Sequence, residues 1–154
     1  METTLRIVHL LAAAVWVGGT VALVFVSVPL AQRLEGEARA AMLRGLGRRW
    51  RPIGWSALGI AVATGLAIAG IEHAFDTTPT RFDVVLAVKG GLVGLLAAGS
   101  YLHDYVLGPG LARQIRAGQA QTLRPVLVKI GRLNLLITFA LPVLGVLLSA
   151  FLRD

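Results

Sequence analysis

The chain has 154 residues, 56% of them hydrophobic and 15% charged, with a mean hydropathy of +0.74; this is too apolar for a water-soluble domain of its size, so lipid is the expected solvent. The net charge of +7 comes from basic residues gathered in two segments between apolar runs, which is a membrane-topology signal and excludes nucleic acid as a partner. No cysteine is present, which removes disulfides, thiolate metal sites, iron–sulfur clusters and cysteine nucleophiles.

The first apolar run, Ile7 to Ala31, is longer than the apolar stretch of a signal peptide. Arg6 before it is balanced by Glu2, and no small-residue cleavage site follows, so the run is expected to remain as helix 1, over about 5–33. Next comes a basic segment with Arg33, Arg39, Arg44, Arg48, Arg49 and Arg51. Within Arg33 to Pro52, Leu34, Ala38, Ala41, Met42 and Leu46 recur near helical spacing, which admits two readings: an amphipathic segment along the inner membrane face, or a solvated basic linker. Ile53 to Ile71 predicts helix 2, over about 52–73.

The following loop has Glu72, Asp76 and Asp83 against a single Arg81, and His73 beside Glu72 is expected to be solvated. Val84 to Leu102, broken only by Lys89, predicts helix 3 over about 82–107, with Gly108-Pro109-Gly110 ending it. Arg113, Arg116, Arg124, Lys129 and Arg132 form the second basic segment, and Leu133 to Leu152 predicts helix 4, over about 124–152. The expected fold is all-α, an integral membrane four-helix bundle forming a single transmembrane domain over 1–154. The positive-inside rule places the two basic loops in the cytoplasm, and both termini and the acidic loop on the outer side of the cell inner membrane.

Gly18-Gly19 in helix 1, Gly54, Gly59, Gly65 and Gly70 in helix 2, and Gly90, Gly91, Gly94 and Gly99 in helix 3 have two readings. Small residues let helix backbones approach closely in lipid, and Gly90 to Gly94 has the GxxxG spacing. Alternatively, glycines on helices 2 and 3 make room for a flat cofactor. None follows a strand or opens a nucleotide-binding helix, so a phosphate loop is excluded.

Ionisable residues inside the hydrocarbon are functional candidates because each needs a partner or carries a cost of several kcal/mol. His9 lies one turn into helix 1 from the outer side, and Lys89 two turns into helix 3 from that side, about 9 Å deep at 1.5 Å per residue. Trp16 follows His9 by seven residues and returns to nearly the same face. His9 reads either as an interfacial histidine or as a ligand; Lys89 reads either as a cation that snorkels to the surface or as a site residue. At the inner end, His103, Asp104, Arg132 and Asn134 are expected to form an interfacial charge network.

Three histidines cannot supply four axial ligands, which excludes a two-haem wire ligated by histidine pairs. A single haem near the outer leaflet fits, with His9 as an axial metal ligand and His73, Lys89, water or nothing opposite. Copper transfer favours soft ligands, and the methionines here are Met1 and Met42, neither within an apolar run. Ser27, Ser56, Ser100 and Ser149 have no evident base at matching depth, which argues against nucleophilic hydrolysis.

His9 to Trp16 (HLLAAAVW) followed by Val-Gly-Gly, Pro29, Thr64-Gly65-Leu66, Lys89-Gly90-Gly91 and Pro109 form a pattern that resembles the CopD-type copper-resistance domain family. More distantly it resembles the HemJ-type protoporphyrinogen oxidases, four-helix membrane proteins that bind haem b and whose fourth helix opens with an Arg-x-x-Asn-Glu-like sequence. Here that position reads Arg132-Leu133-Asn134-Leu135, without the acidic residue. The resemblance implies His9 as haem ligand, Trp16 as pocket wall, and Lys89 as second ligand or propionate partner.

Three functions stand at this point. The first is a haem b-binding membrane protein, as an oxidoreductase or otherwise, whose partners are the bilayer and a hydrophobic or redox-active small molecule. The second is copper transport or handling of the CopD type. The third is a structural membrane subunit in which the glycine faces serve association, including with a second copy of the chain. Whether the protein is an enzyme stays open.

Overall fold

A computed structural model describes residues 2–71, 81–117 and 119–151 of the protein. The acidic loop with Glu72, His73 and Asp76 therefore lies outside the described residues. Among those described, regular structure is entirely helical, and four helices are long and apolar enough to cross a membrane. The chain divides into two compact units, Met1–Asp76 and Thr77–Asp154, each built on a pair of antiparallel helices.

In the first unit, helix α1 runs over Glu2–Gln32 and helix α2 over Gly36–Ile71. The chain reverses between them at Gly36, whose φ of 49° lies in the left-handed region that a side chain disfavours. α1 is not uniform. Its last third contains a π-helical turn, Ala22–Ser27, in which the Val28 amide donates to the Leu23 carbonyl five residues back. Pro29 explains this turn, because it brings no N–H and its ring would strike the carbonyl of Phe25 in a regular helix; a wider turn just upstream relieves the clash.

In the second unit, helix α3 comprises Arg81–Tyr101, a π-helical turn Leu102–Leu107, and Gly108–Arg116. Helix α4 spans Arg124–Phe151 and passes through Pro142 without stopping. Gly108-Pro109-Gly110 does not end the helix, contrary to the sequence expectation. The same device operates as in α1: the Gly108 amide donates to the His103 carbonyl, and the widened turn lets the chain carry Pro109 and continue.

A second correction concerns the basic segment. Residues 36–52 are neither a linker nor a separate surface helix but the first half of α2, which continues through Pro52. Arginine, alanine, leucine and methionine are strong helix formers, so propensity favours this outcome once the hydrophobic half is anchored. At 36 residues and 1.5 Å per residue, α2 is about 54 Å long, well over the ~30 Å hydrocarbon thickness. Its arginine-bearing end therefore extends beyond the apolar layer, where Arg44 pairs with Glu37.

The two units repeat one plan. A shift of 80 residues superposes the π-turns (22 to 102), the prolines (29 to 109) and two buried pairs on the second helices, Ala57-Leu58 on Ile137-Thr138. Such internal repeats are common in membrane folds. In the first unit Trp16 and Trp50 lie at the helix seam with ring centroids 6.3 Å apart, and the Trp50 ring occupies the space that side chains at Gly19 and Gly54 would need. In the second unit the niche at Gly99, equivalent to Gly19, takes Asn134 instead. Outside the seams, large apolar side chains such as Leu10, Leu11, Phe25, Leu66, Leu136, Val143 and Val146 are exposed, as lipid-facing residues would be.

Candidate functional site

His9 projects from α1 into the seam with α2. Its Nδ1 is 2.8 Å from the Ala61 carbonyl oxygen and 3.1 Å from Thr64 Oγ1. A carbonyl can only accept, and the Thr64 hydroxyl already donates to the Ile60 carbonyl at 2.7 Å. Nδ1 therefore carries the proton, and in the neutral imidazole the lone pair resides on Nε2. Metal-ligating histidines are commonly oriented in this way, the second ring nitrogen donating to a carbonyl and fixing the tautomer.

Gly65 completes the setting. A Cβ there would stand 3.1 Å from His9 Cε1 and 3.5 Å from Nδ1, so the ring lies directly on the α2 backbone. Threonine, glycine and the Ala61 carbonyl thus act together, one turn of α2 gripping one imidazole.

An open apolar groove of about 580 Å³ runs along α1 and α2, lined among others by Val8, Leu11, Val15, Ile53 and Ile60; His9 is not part of its lining. Its volume falls in the ~300–1,000 Å³ range of small-molecule sites. Trp16, two turns further along the same face, is buried against Trp50 and braces the α1–α2 seam.

Lys89 is placed in the second unit as His9 is in the first. It holds the equivalent position on α3, and its Nζ would be 3.4 Å from a Cβ at Gly145, which is the equivalent of Gly65. Each unit thus directs one ionisable side chain at a glycine of its own second helix.

The group expected to form a charge network resolves into two separate pairs. His103 Nδ1 is 3.0 Å from Asp104 Oδ1, and Asn134 Nδ2 donates to Ser100 Oγ at 3.3 Å. Arg132 is exposed.

Composition and depth single out His9, Trp16 and Lys89, but not Ala61, Thr64 and Gly65 as the grip on His9, nor Trp50 as the partner of Trp16. Trp50 sits among arginines in the sequence, and only the continuity of α2 brings it to the seam. Among the described residues no three histidine, aspartate or glutamate side chains gather to hold a bare metal ion. Compared with models of known protein families, with curated proteins and with solved structures, the chain matches none.

Proposed function

We propose that this protein binds haem b in the membrane through His9 and serves as a membrane oxidoreductase. The observation that carries this reading is the hydrogen bond from His9 Nδ1 to the Ala61 carbonyl at 2.8 Å, which would orient Nε2 as the nitrogen that holds the iron. The residues present fit such a group. A porphyrin supplies four of the iron's ligands itself and needs one or two from the protein, which one imidazole satisfies. Bare copper needs several protein donors together, so the copper-handling alternative has less support here.

Gly65 admits the ring of His9 against α2. Bound haem would supply one-electron chemistry, tuned by the basicity of His9 and by burial. The cytoplasmic placement of the basic segments, the outward placement of both termini, and residence in the cell inner membrane belong to this proposal and rest on the arginine distribution.

The test is spectroscopic. Protein purified with haem available is expected to show a Soret band that is lost in His9→Ala; a chain without such a band, or one whose band survives that substitution, refutes the site.

A further inference from the structure

The internal repeat allows the two units to serve as controls for each other. At positions 23 and 24 of the first unit, the π-turn of α1 is built from Leu23 and Val24. At the equivalent positions of the second unit, the same turn carries His103 and Asp104. The backbone device that accommodates the proline therefore does not require a polar pair. Asn134, which stands where the first unit has Gly54, fills at Gly99 the niche that Trp50 fills at Gly19. His103 and Asp104 are therefore an addition to a turn that forms without them, and π-turns recur at functional sites.

These groups gather at one level of the α3–α4 seam. Ser100, His103 and Asp104 lie three and four residues apart, on one face of α3, while Gly131 and Asn134 lie one turn apart on α4. Asp104 accepts from His103 Nδ1 at 3.0 Å, which leaves Nε2 of the neutral ring as an acceptor. That nitrogen faces the α4 backbone at Gly131, 3.7 Å from where a Cβ would stand. One turn away toward the apolar part of α3, the buried Ser100 hydroxyl and the Asn134 carboxamide are joined at 3.3 Å. Tyr101 and Tyr105, exposed and stacked at 5.2 Å, mark this level as the membrane–water boundary, where tyrosines concentrate.

We infer that the α3–α4 seam at Ser100, His103, Asp104 and Asn134 binds the oxygen-bearing ring of a lipid-soluble hydroquinone or quinone. His103 Nε2 accepts a hydrogen bond from a ring hydroxyl, and Ser100 and Asn134 supply donors for a ring oxygen. Such a ligand reaches the site from lipid, and its polar ring settles at the boundary that the tyrosines mark. This inference stands independently of whether haem is bound in the first unit.

The experiment uses the full chain in lipid nanodiscs with decylubiquinol as probe. Nitrogen NMR of the His103 ring is expected to show a saturable shift at Nε2. The first unit also provides a fold-preserving variant, His103→Leu with Asp104→Val, which installs the residues α1 uses at the same turn. It is expected to keep helix content and thermal stability and to weaken decylubiquinol binding at least tenfold; Asn134→Leu, which keeps the niche at Gly99 filled, is expected to weaken it severalfold. Absence of a saturable shift at His103 in the unaltered protein overturns the inference, as does equal affinity in the double variant. The Soret band of the double variant reports separately on the His9 site.

Discussion

Gly65→Ala is the most informative small change in this protein, because it tests the grip on His9 without touching the ligand. The added methyl would lie 3.1 Å from His9 Cε1 and 3.5 Å from Nδ1, against an optimal carbon–carbon separation of about 3.5–4.0 Å. The imidazole must retreat by roughly half an ångström. The bond from Nδ1 to the Ala61 carbonyl, 2.8 Å long, then stretches toward the limit of hydrogen bonding. Losing most of that bond costs about 0.5–1.5 kcal/mol, and the misdirected ring loses affinity besides; changes to such outer partners weaken metal binding about 10–100-fold. Haem affinity is therefore expected to fall about tenfold, with the Soret band retained at saturating haem. The assay is a haem titration of apo-protein in nanodiscs, with Gly18→Ala as control, since nothing lies within 4 Å of a Cβ there. If Gly65→Ala binds haem within twofold of the unaltered protein while His9→Ala abolishes binding, the α2 grip has no part in ligation and the reasoning is refuted.

Four further outcomes are expected. Gly19→Ala sets a methyl against the Trp50 ring and should destabilise the first unit by about 1–3 kcal/mol, as overpacking does; unfolding by denaturing detergent measures it, and Trp50→Leu in the same chain should relieve part of the loss. Gly145→Ala meets only the flexible end of Lys89 at 3.4 Å and should change stability by less than about 0.5 kcal/mol in the same assay. Pro109→Ala restores an N–H and removes the cause of the π-turn, so Leu102–Leu107 is expected to relax to a regular helix; backbone chemical shifts of that segment report the change, and an unaltered π-turn would show that the proline does not cause it. Reporter fusions following residue 118 are expected to be active only for a cytoplasmic reporter, in accord with the basic segments.

Hydropathy alone locates the four apolar helices, since a run of about 20 apolar residues has few other uses. It does not locate their ends. The arginines of residues 39–51 lower hydropathy without lowering helix propensity, so α2 begins sixteen residues before the expected start at 52. Gly108-Pro109-Gly110 reads as a stop because the remedy, a wider turn six residues long, has no side-chain signature. The candidate site divides in the same way. The shared face of His9 and Trp16 is a matter of periodicity within one helix and is visible in the chain. Ala61, Thr64 and Gly65 reach His9 only through the register of α1 against α2, a property of two helices that neither sequence displays by itself. The separation of the inner polar residues into His103 with Asp104 and Asn134 with Ser100 depends likewise on the pairing of α3 with α4.

The length of α2 gives the His9 site a mechanical connection. The grip at Ala61 and Thr64 and the arginines at 44, 48 and 49 are parts of one helical rod, and a helix resists twisting and bending far more than a loop does. Pro52, which leaves one backbone carbonyl of that rod without its usual partner, is the compliant point between the two ends. A displacement of the arginine-bearing end, less whatever Pro52 absorbs, is therefore carried to the two oxygens that aim the imidazole. The aim of His9 is thus tied to a helix that reaches outside the apolar layer, and not to a loop at its own depth.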